Sequence, residues 1–151
     1  MKSLAYPGDA TELVRRLQQL NPESRARWGR MSAHQMVCHL ADAMRLALGT
    51  KAASPAGGIF HRTVLKWVVL WVPLQWPRGI LTRPELDQLA GGTRPADFAA
   101  DLAQVEVLLS QVASYRSSRR PPHPLFGHLS DRAWLRWAYL HTDHHLRQFG
   151  R

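Results

Sequence analysis

Between Phe98 and Val112 apolar side chains recur at Phe98, Leu102, Val105, Leu109 and Val112. Gaps of four and three lay one stripe along an α-helix and would scatter over both faces of a strand. The same spacing returns near the end of the chain as Trp134, Ala138, His141, His145 and Gln148, and earlier as Met36, His39 or Leu40, Ala43, Leu46 and Ala47. No segment alternates apolar and polar with the period of two that a half-buried strand needs. The pattern predicts an all-α chain, a bundle of four helices.

Helix ends are marked by residues that satisfy unpaired backbone groups. Asp9 with Glu12 reads as a capping box opening a first helix, carried by Leu13, Leu17 and Leu20 and stopped at Asn21-Pro22. Ser32 with Gln35 opens a second, with Met31 and Met36 placed as a hydrophobic staple, and Gly49 ends it after Leu48. A third starts near Asp97 and stops before Ser117; a fourth starts at Ser130, with Leu129 and Trp134 as staple partners, and closes at Gly150. Residues 49–97 are a Gly- and Pro-rich connection with a short apolar helix around Ile59 to Trp71 and the proline-punctuated Val72 to Pro84. A connection this long inside one domain is uncommon unless it covers something, so it reads as a crossover and lid. At 151 residues the chain suits one domain, 1–151, with a real core.

A net charge of +9 invites a nucleic-acid reading. Only Lys2, Lys51 and Lys66 are lysines among the 20 basic residues, and the arginines are spread from Arg15 to Arg151. That spread argues against a nucleic-acid partner, and the Arg116 to Arg120 cluster reads as a solvated loop. The single cysteine, Cys38, forms no internal disulfide, and the first ten residues lack the apolar run of a signal peptide. A reducing cytoplasm is the expectation. Val64 to Leu74 is interrupted by Lys66 and ended by Pro73, too short for a membrane span of roughly 20 residues.

The seams of the second and fourth helices carry polar side chains where the bundle interior should be. His141 and His145 lie about 40° apart around their helix, so both can reach one point. With His39 on the inward stripe of the second helix, three imidazoles aim at one core, a set that leaves positions open for water or substrate. Taken alone, the His-x3-His pair fits hydrogen-bonded or exposed histidines better than ligands, and His144 competes with His145 for the inward position.

WGRMSAHQMVCHLADAMRLALG at 28–49, with HPLFGHLSDRAWLRWAYLHTDHHLRQFG at 123–150, resembles the DinB-like superfamily, in its branch of uncharacterised bacterial proteins. The HL of the second helix and the H-x3-H followed by RQ in the last occur together and in order. The resemblance implies a four-helix bundle of up-down-down-up topology and a divalent metal, zinc or nickel first and iron or manganese after them. It places the ligands on His39, His141 and His145. Characterised relatives include metal-dependent transferases and isomerases that use low-molecular-weight thiols. The reading this implies is a thiol-dependent transferase or hydrolase-like enzyme with a small-molecule substrate. The competing reading is a non-catalytic bundle, metal-bound or metal-free, acting as an interaction or dimerisation module, with a homodimer as its assembly.

Around this set, Asp42 is a candidate acceptor for a ligand imidazole or a surface carboxylate. Gln148 either lines the pocket and meets a metal-bound water or is a solvated helix end. His144 flanks His145. His34, in the first turn of its helix, reads as neutral and at the pocket rim. Cys38 reads as packing, and His123, Pro124, Phe126 and Gly127 as a turn with an aromatic plug. Trp67, Trp71 and Trp76 read as core or dimer burial.

Overall fold

The structure is a computed structural model that describes residues 1–80, 82–117 and 120–151. Five α-helices run in order: α1 Pro7–Leu17, α2 Ala33–Leu48, α3 Lys66–Trp71, α4 Phe98–Ser114 and α5 Asp131–Gln148. No strand occurs among the described residues; one isolated bridge joins His123 and Gly127. The four long helices form the bundle the seams predict. Helices α2 and α4 make its most extensive contact, and α5 lies against α1, α2 and α4, while the backbones of α1 and α2 are not adjacent among the described residues. The chain thus reaches α2 by crossing the bundle.

The caps of α2, α4 and α5 follow the sequence. Ser32 Oγ accepts from Gln35 N while Gln35 Oε1 accepts from Ser32 N, and Gly49 ends α2 at φ 80°. Asp97 and Ser130 cap α4 and α5. The start of α1 differs. It begins at Pro7, whose fixed φ and missing N–H suit a first helical position, and it stops at Leu17. Asp9 instead accepts from Ser3 N at 2.8 Å and pairs with Lys2 at 2.9 Å, tying the N-terminal segment to α1.

Leu13 and Leu17, Met36, Leu40 and Met44, Val105, Leu109 and Val112, and Trp134 and Leu146 fill the interior from the four long helices. The crossover carries one wide π-helical turn, His61–Leu65, leading into α3, and a 3-10 turn at Pro84–Leu86. Its tryptophans divide: Trp67 is 61% exposed, Trp71 lies under the Arg132 guanidinium, and Trp76 turns inward, its Nε1 donating to the Val69 carbonyl at 3.0 Å. Core burial therefore does not describe Trp67. No helix of the described residues is long and apolar enough to cross a membrane.

Arg120 corrects the reading of the arginine cluster as a solvated loop. It is buried, with Nε 2.6 Å from Asp131 and its other nitrogens donating to the carbonyls of Ala47 and Tyr115. It pins the end of α2 to the start of α5. Ser118 and Arg119 of that cluster, and Leu81 of the proline-punctuated run, lie outside the described residues.

Candidate metal centre

His39 from α2 and His141 and His145 from α5 meet between the two helices. Their ring centroids are 4.7 to 5.1 Å apart, and each offers one donor atom, all within 4.8 Å of one another. His141 Nε2 and His39 Nε2 stand 3.1 Å apart. Two nitrogens on one tetrahedral zinc, at bonds of roughly 2.0–2.1 Å, are about 3.3 Å apart.

The hydrogen bonds behind the rings decide which nitrogens face inward. His39 Nδ1 lies 2.9 Å from the Leu86 carbonyl, which only accepts, so Nδ1 carries the proton and Nε2 presents a lone pair. His145 Nδ1 lies 2.8 Å from Gln148 Oε1. The orientation of that amide is fixed in turn, because its Nε2 donates to the Trp28 carbonyl at 2.8 Å. Two imidazoles therefore hold their protons outward and turn Nε2 toward the cluster. This is the arrangement metal-ligating histidines adopt.

Burial pushes all three imidazoles below their ordinary pKa. The neighbouring histidines add to this for His141 and His145, while the Leu86 carbonyl and the Asp42 charge partly oppose it at His39. The cluster is thus neutral and ready to donate lone pairs at pH 7. Trp137, one turn before His141, stacks on its ring at 4.8 Å and 26°, and Trp76 meets it edge-on at 6.2 Å. Trp137 is held from behind by His123, 4.9 Å away. That imidazole accepts from the amides of Leu125 and Phe126 through Nδ1 and stacks on Phe126. The His123–Gly127 segment is a turn with an aromatic plug whose plug supports the wall of the cluster.

The flanking residues are placed differently from the sequence reading. Asp42 makes no hydrogen bond to an imidazole and is not a surface carboxylate: it is fully buried, accepting from Thr93 N at 2.8 Å, Thr93 Oγ1 at 2.7 Å and Gln88 Nε2 at 3.3 Å. Lys51 and Arg45 pair with it at 3.1 and 3.2 Å. Burial opposes its ionisation, but the Thr93 hydrogen bonds and the Lys51 ammonium outweigh that and hold the carboxyl below its usual range. Asp42 acts on His39 at one remove, by fastening residues 88–93 to α2 beside the Leu86 carbonyl. Gln148 bonds His145 directly and is buried, so it is not a solvated end. His144 flanks His145 as expected, half-buried between it and the rings of Trp28 and Trp76.

His34 faces α4 rather than the histidine cluster. Its Nε2 lies 2.7 Å from Asp101 Oδ2 on α4, with its ring against Phe98. Cys38 Sγ lies 3.6 Å from the same carboxylate, and burial together with the Asp101 charge pushes the thiol up to about 12. His34, Cys38 and Asp101 form a second trio of donors within 4.8 Å. The 2.7 Å contact is that of a charge-assisted hydrogen bond, shorter than the roughly 3.3 Å expected between a nitrogen and an oxygen donor sharing a tetrahedral ion.

Sequence reasoning missed Leu86, Trp28, Gly29 and Trp137. Trp137 was within reach, lying four residues before His141. Gly29 carries a testable role: its φ is +81°, and a Cβ there would lie 2.6 Å from Gln148 Nε2. Gly29→Ala is expected to lose about 1–2 kcal/mol in urea unfolding from left-handed strain and displacement of that amide. Gly8→Ala, with open space around it and a helical position, should lose nothing. Equal stability of the two variants would remove Gly29 from the support of His145.

Fold and cluster together define a class: an all-helical bundle with three inward-facing histidines between its second and last helices. The chain belongs to the family described as "Protein of unknown function (DUF1569)", matched over residues 1–151. No curated protein and no solved structure matches it.

Proposed function

We propose that this chain is a DinB-like protein that binds one divalent metal ion through His39, His141 and His145. The observation that carries the reading is the pair of outward-held Nδ1 protons, on the Leu86 carbonyl and Gln148 Oε1, which leaves Nε2 lone pairs converging in a buried, neutral cluster. Converging lone pairs are an unfavourable arrangement unless a donor meets them; His141 Nε2, 3.1 Å from His39 Nε2, can do so at one of them. Three imidazoles with no carboxylate among them suit zinc or nickel; iron is compatible with the same donors, and manganese, which favours oxygen, fits less well.

The activity that follows is that of a metal-dependent enzyme, with a thiol-dependent transferase or a hydrolase-like reaction as its form. A divalent ion held by His39, His141 and His145 would supply Lewis acidity, the chemistry that lowers the pKa of a thiol or water. The protein's own contribution is orientation and shielding. Leu86 and Gln148 fix the rings of His39 and His145, Trp137 and Trp76 wall His141, and His144 flanks the cluster on the side of Trp28. A reducing cytoplasm suits the free, buried Cys38.

Elemental analysis of protein purified without a metal-affinity tag tests the site. Near-stoichiometric zinc or nickel is expected in the parent, with metal lost from His39→Ala and His145→Ala. Equal metal content in all three would overturn it and leave the interaction-module reading standing.

A further inference from the structure

Beside the cluster lies a half-open cleft of about 280 Å³ lined chiefly by arginine and tryptophan, with Arg27, Arg78, Arg147, Arg151, Trp28 and Trp76 around it. Arg147 is paired with Asp143 at 2.9 Å. Arg27 and Arg78 have no carboxylate partner among the described residues. The Arg78 guanidinium lies 4.4 Å over the ring of Trp28, which orients its fork without neutralising it. The Arg27 and Arg78 side chains are both exposed; the backbone of Arg27 is anchored, its amide donating to the Gln148 carbonyl at 2.7 Å. A Cβ at Gly150, whose φ is +74°, would lie 2.7 Å from the Arg27 guanidinium, so a glycine there leaves that group room against the end of α5.

One aromatic layer separates this cavity from the histidines. Trp28 and Trp76 line it, and their rings lie 5.9 and 6.1 Å from His144, with Trp76 6.2 Å from His141. We infer that the cavity binds the anionic head, carboxylate or phosphate, of a small molecule whose body lies along Trp28 and Trp76 toward His141 and His144. Guanidinium forks match the oxygens of either anion in bidentate fashion, and the indole rings supply flat apolar surface for the rest of the ligand. At this volume the head and a few further atoms fit, so the ligand is of metabolite size. The net charge of +9 favours its encounter. Calling the ligand a substrate rests on the metal-centre reading above; the binding of the anion does not.

The test is titration of inorganic phosphate and, separately, succinate into the full chain, read from the indole NMR signals of Trp28 and Trp76, on protein as purified and after chelation of metals. Saturable shifts of these two indoles are expected with at least one anion, and the one that saturates at lower concentration identifies the preferred head group. Arg27→Ala and Arg78→Gln should each weaken binding by about tenfold, the loss of one charge-assisted contact. Arg62→Gln, which makes the same charge change beside Gly127 ahead of α5, should leave it unchanged. Shifts that never saturate, or equal weakening by Arg62→Gln, would overturn the inference, the latter because it shows a response to net charge alone. Saturation that survives chelation in a chain found to carry no metal would keep the anion site while removing the metal reading.

Discussion

Asp42→Ala is expected to lose about 2–4 kcal/mol of folding stability, the consequence of leaving two buried donors without their acceptor. The carboxylate is fully buried and collects three hydrogen bonds and two cations. Its removal leaves Thr93 N and Gln88 Nε2 without an acceptor and a void where the carboxylate was. A loss of that size is a large share of the roughly 5–15 kcal/mol that holds a domain of this kind together. Asp42→Asn keeps an oxygen for Thr93, and Lys51 and Arg45, each partly exposed, can turn to water; about 1–2 kcal/mol is expected for it. Urea unfolding followed by circular dichroism separates the two. An Asp42→Ala variant within about 0.5 kcal/mol of its parent, a margin typical of surface changes, would show that the crossover is held by something else. Because Asp42 fastens residues 88–93 next to Leu86, both variants should also weaken any metal at His39, by roughly 10–100-fold if Leu86 acts as such partners do.

The bundle was legible because its signals are local. The Ser32/Gln35 box and the seams of α4 and α5 depend on residues three or four apart, and such spacing survives whatever the helix packs against. The inward histidines were legible for the same reason. The start of α1 was not, because Pro7 and Asp9 both signal a helix start, and Asp9 is diverted by Ser3 N and Lys2, a choice made by the chain before the helix. The direction His34 takes was hidden for a different reason. Most of α2 is buried, against α4 on one side and α5 on the other, so an inward residue of α2 can face either neighbour. His39 turns to α5, and His34 and Cys38 turn to Asp101 on α4. Asp42 and His39 depend on residues some fifty positions later, Thr93 at 2.8 Å and the Leu86 carbonyl at 2.9 Å. A backbone carbonyl in an irregular crossover leaves no mark in the sequence. Periodicity therefore found the histidines and missed what orients them.

The same burial that readies the imidazoles makes the fold sensitive to acid. Burial holds His123 down to about 3 from an ordinary 6.5, and His39, His141 and His145 are lowered in the same direction. Between those limits the unfolded chain binds a proton that the folded chain refuses, so stability falls as the pH drops below 6.5 and goes on falling until the folded group can also protonate. For His123 this amounts to about 1.4 kcal/mol per pH unit and roughly 5 kcal/mol by pH 3; the three cluster histidines act in the same direction. Asp9, Asp42, Asp101 and Glu85 are lowered as well, but their contribution is lost only below the ordinary carboxylate range, so the loss between pH 6 and 5 belongs to the histidines. His123→Asn isolates one of them. Its side-chain oxygen can accept from the Leu125 and Phe126 amides as Nδ1 does, yet it does not titrate. Urea unfolding at pH 7.5, 6 and 5, conditions chosen to bracket the imidazole range, should show stability falling with pH in the parent. In His123→Asn the slope should be shallower by about 1.4 kcal/mol per pH unit. Parallel slopes would mean that His123 reaches solvent when protonated, and that the plug behind Trp137 yields rather than resists.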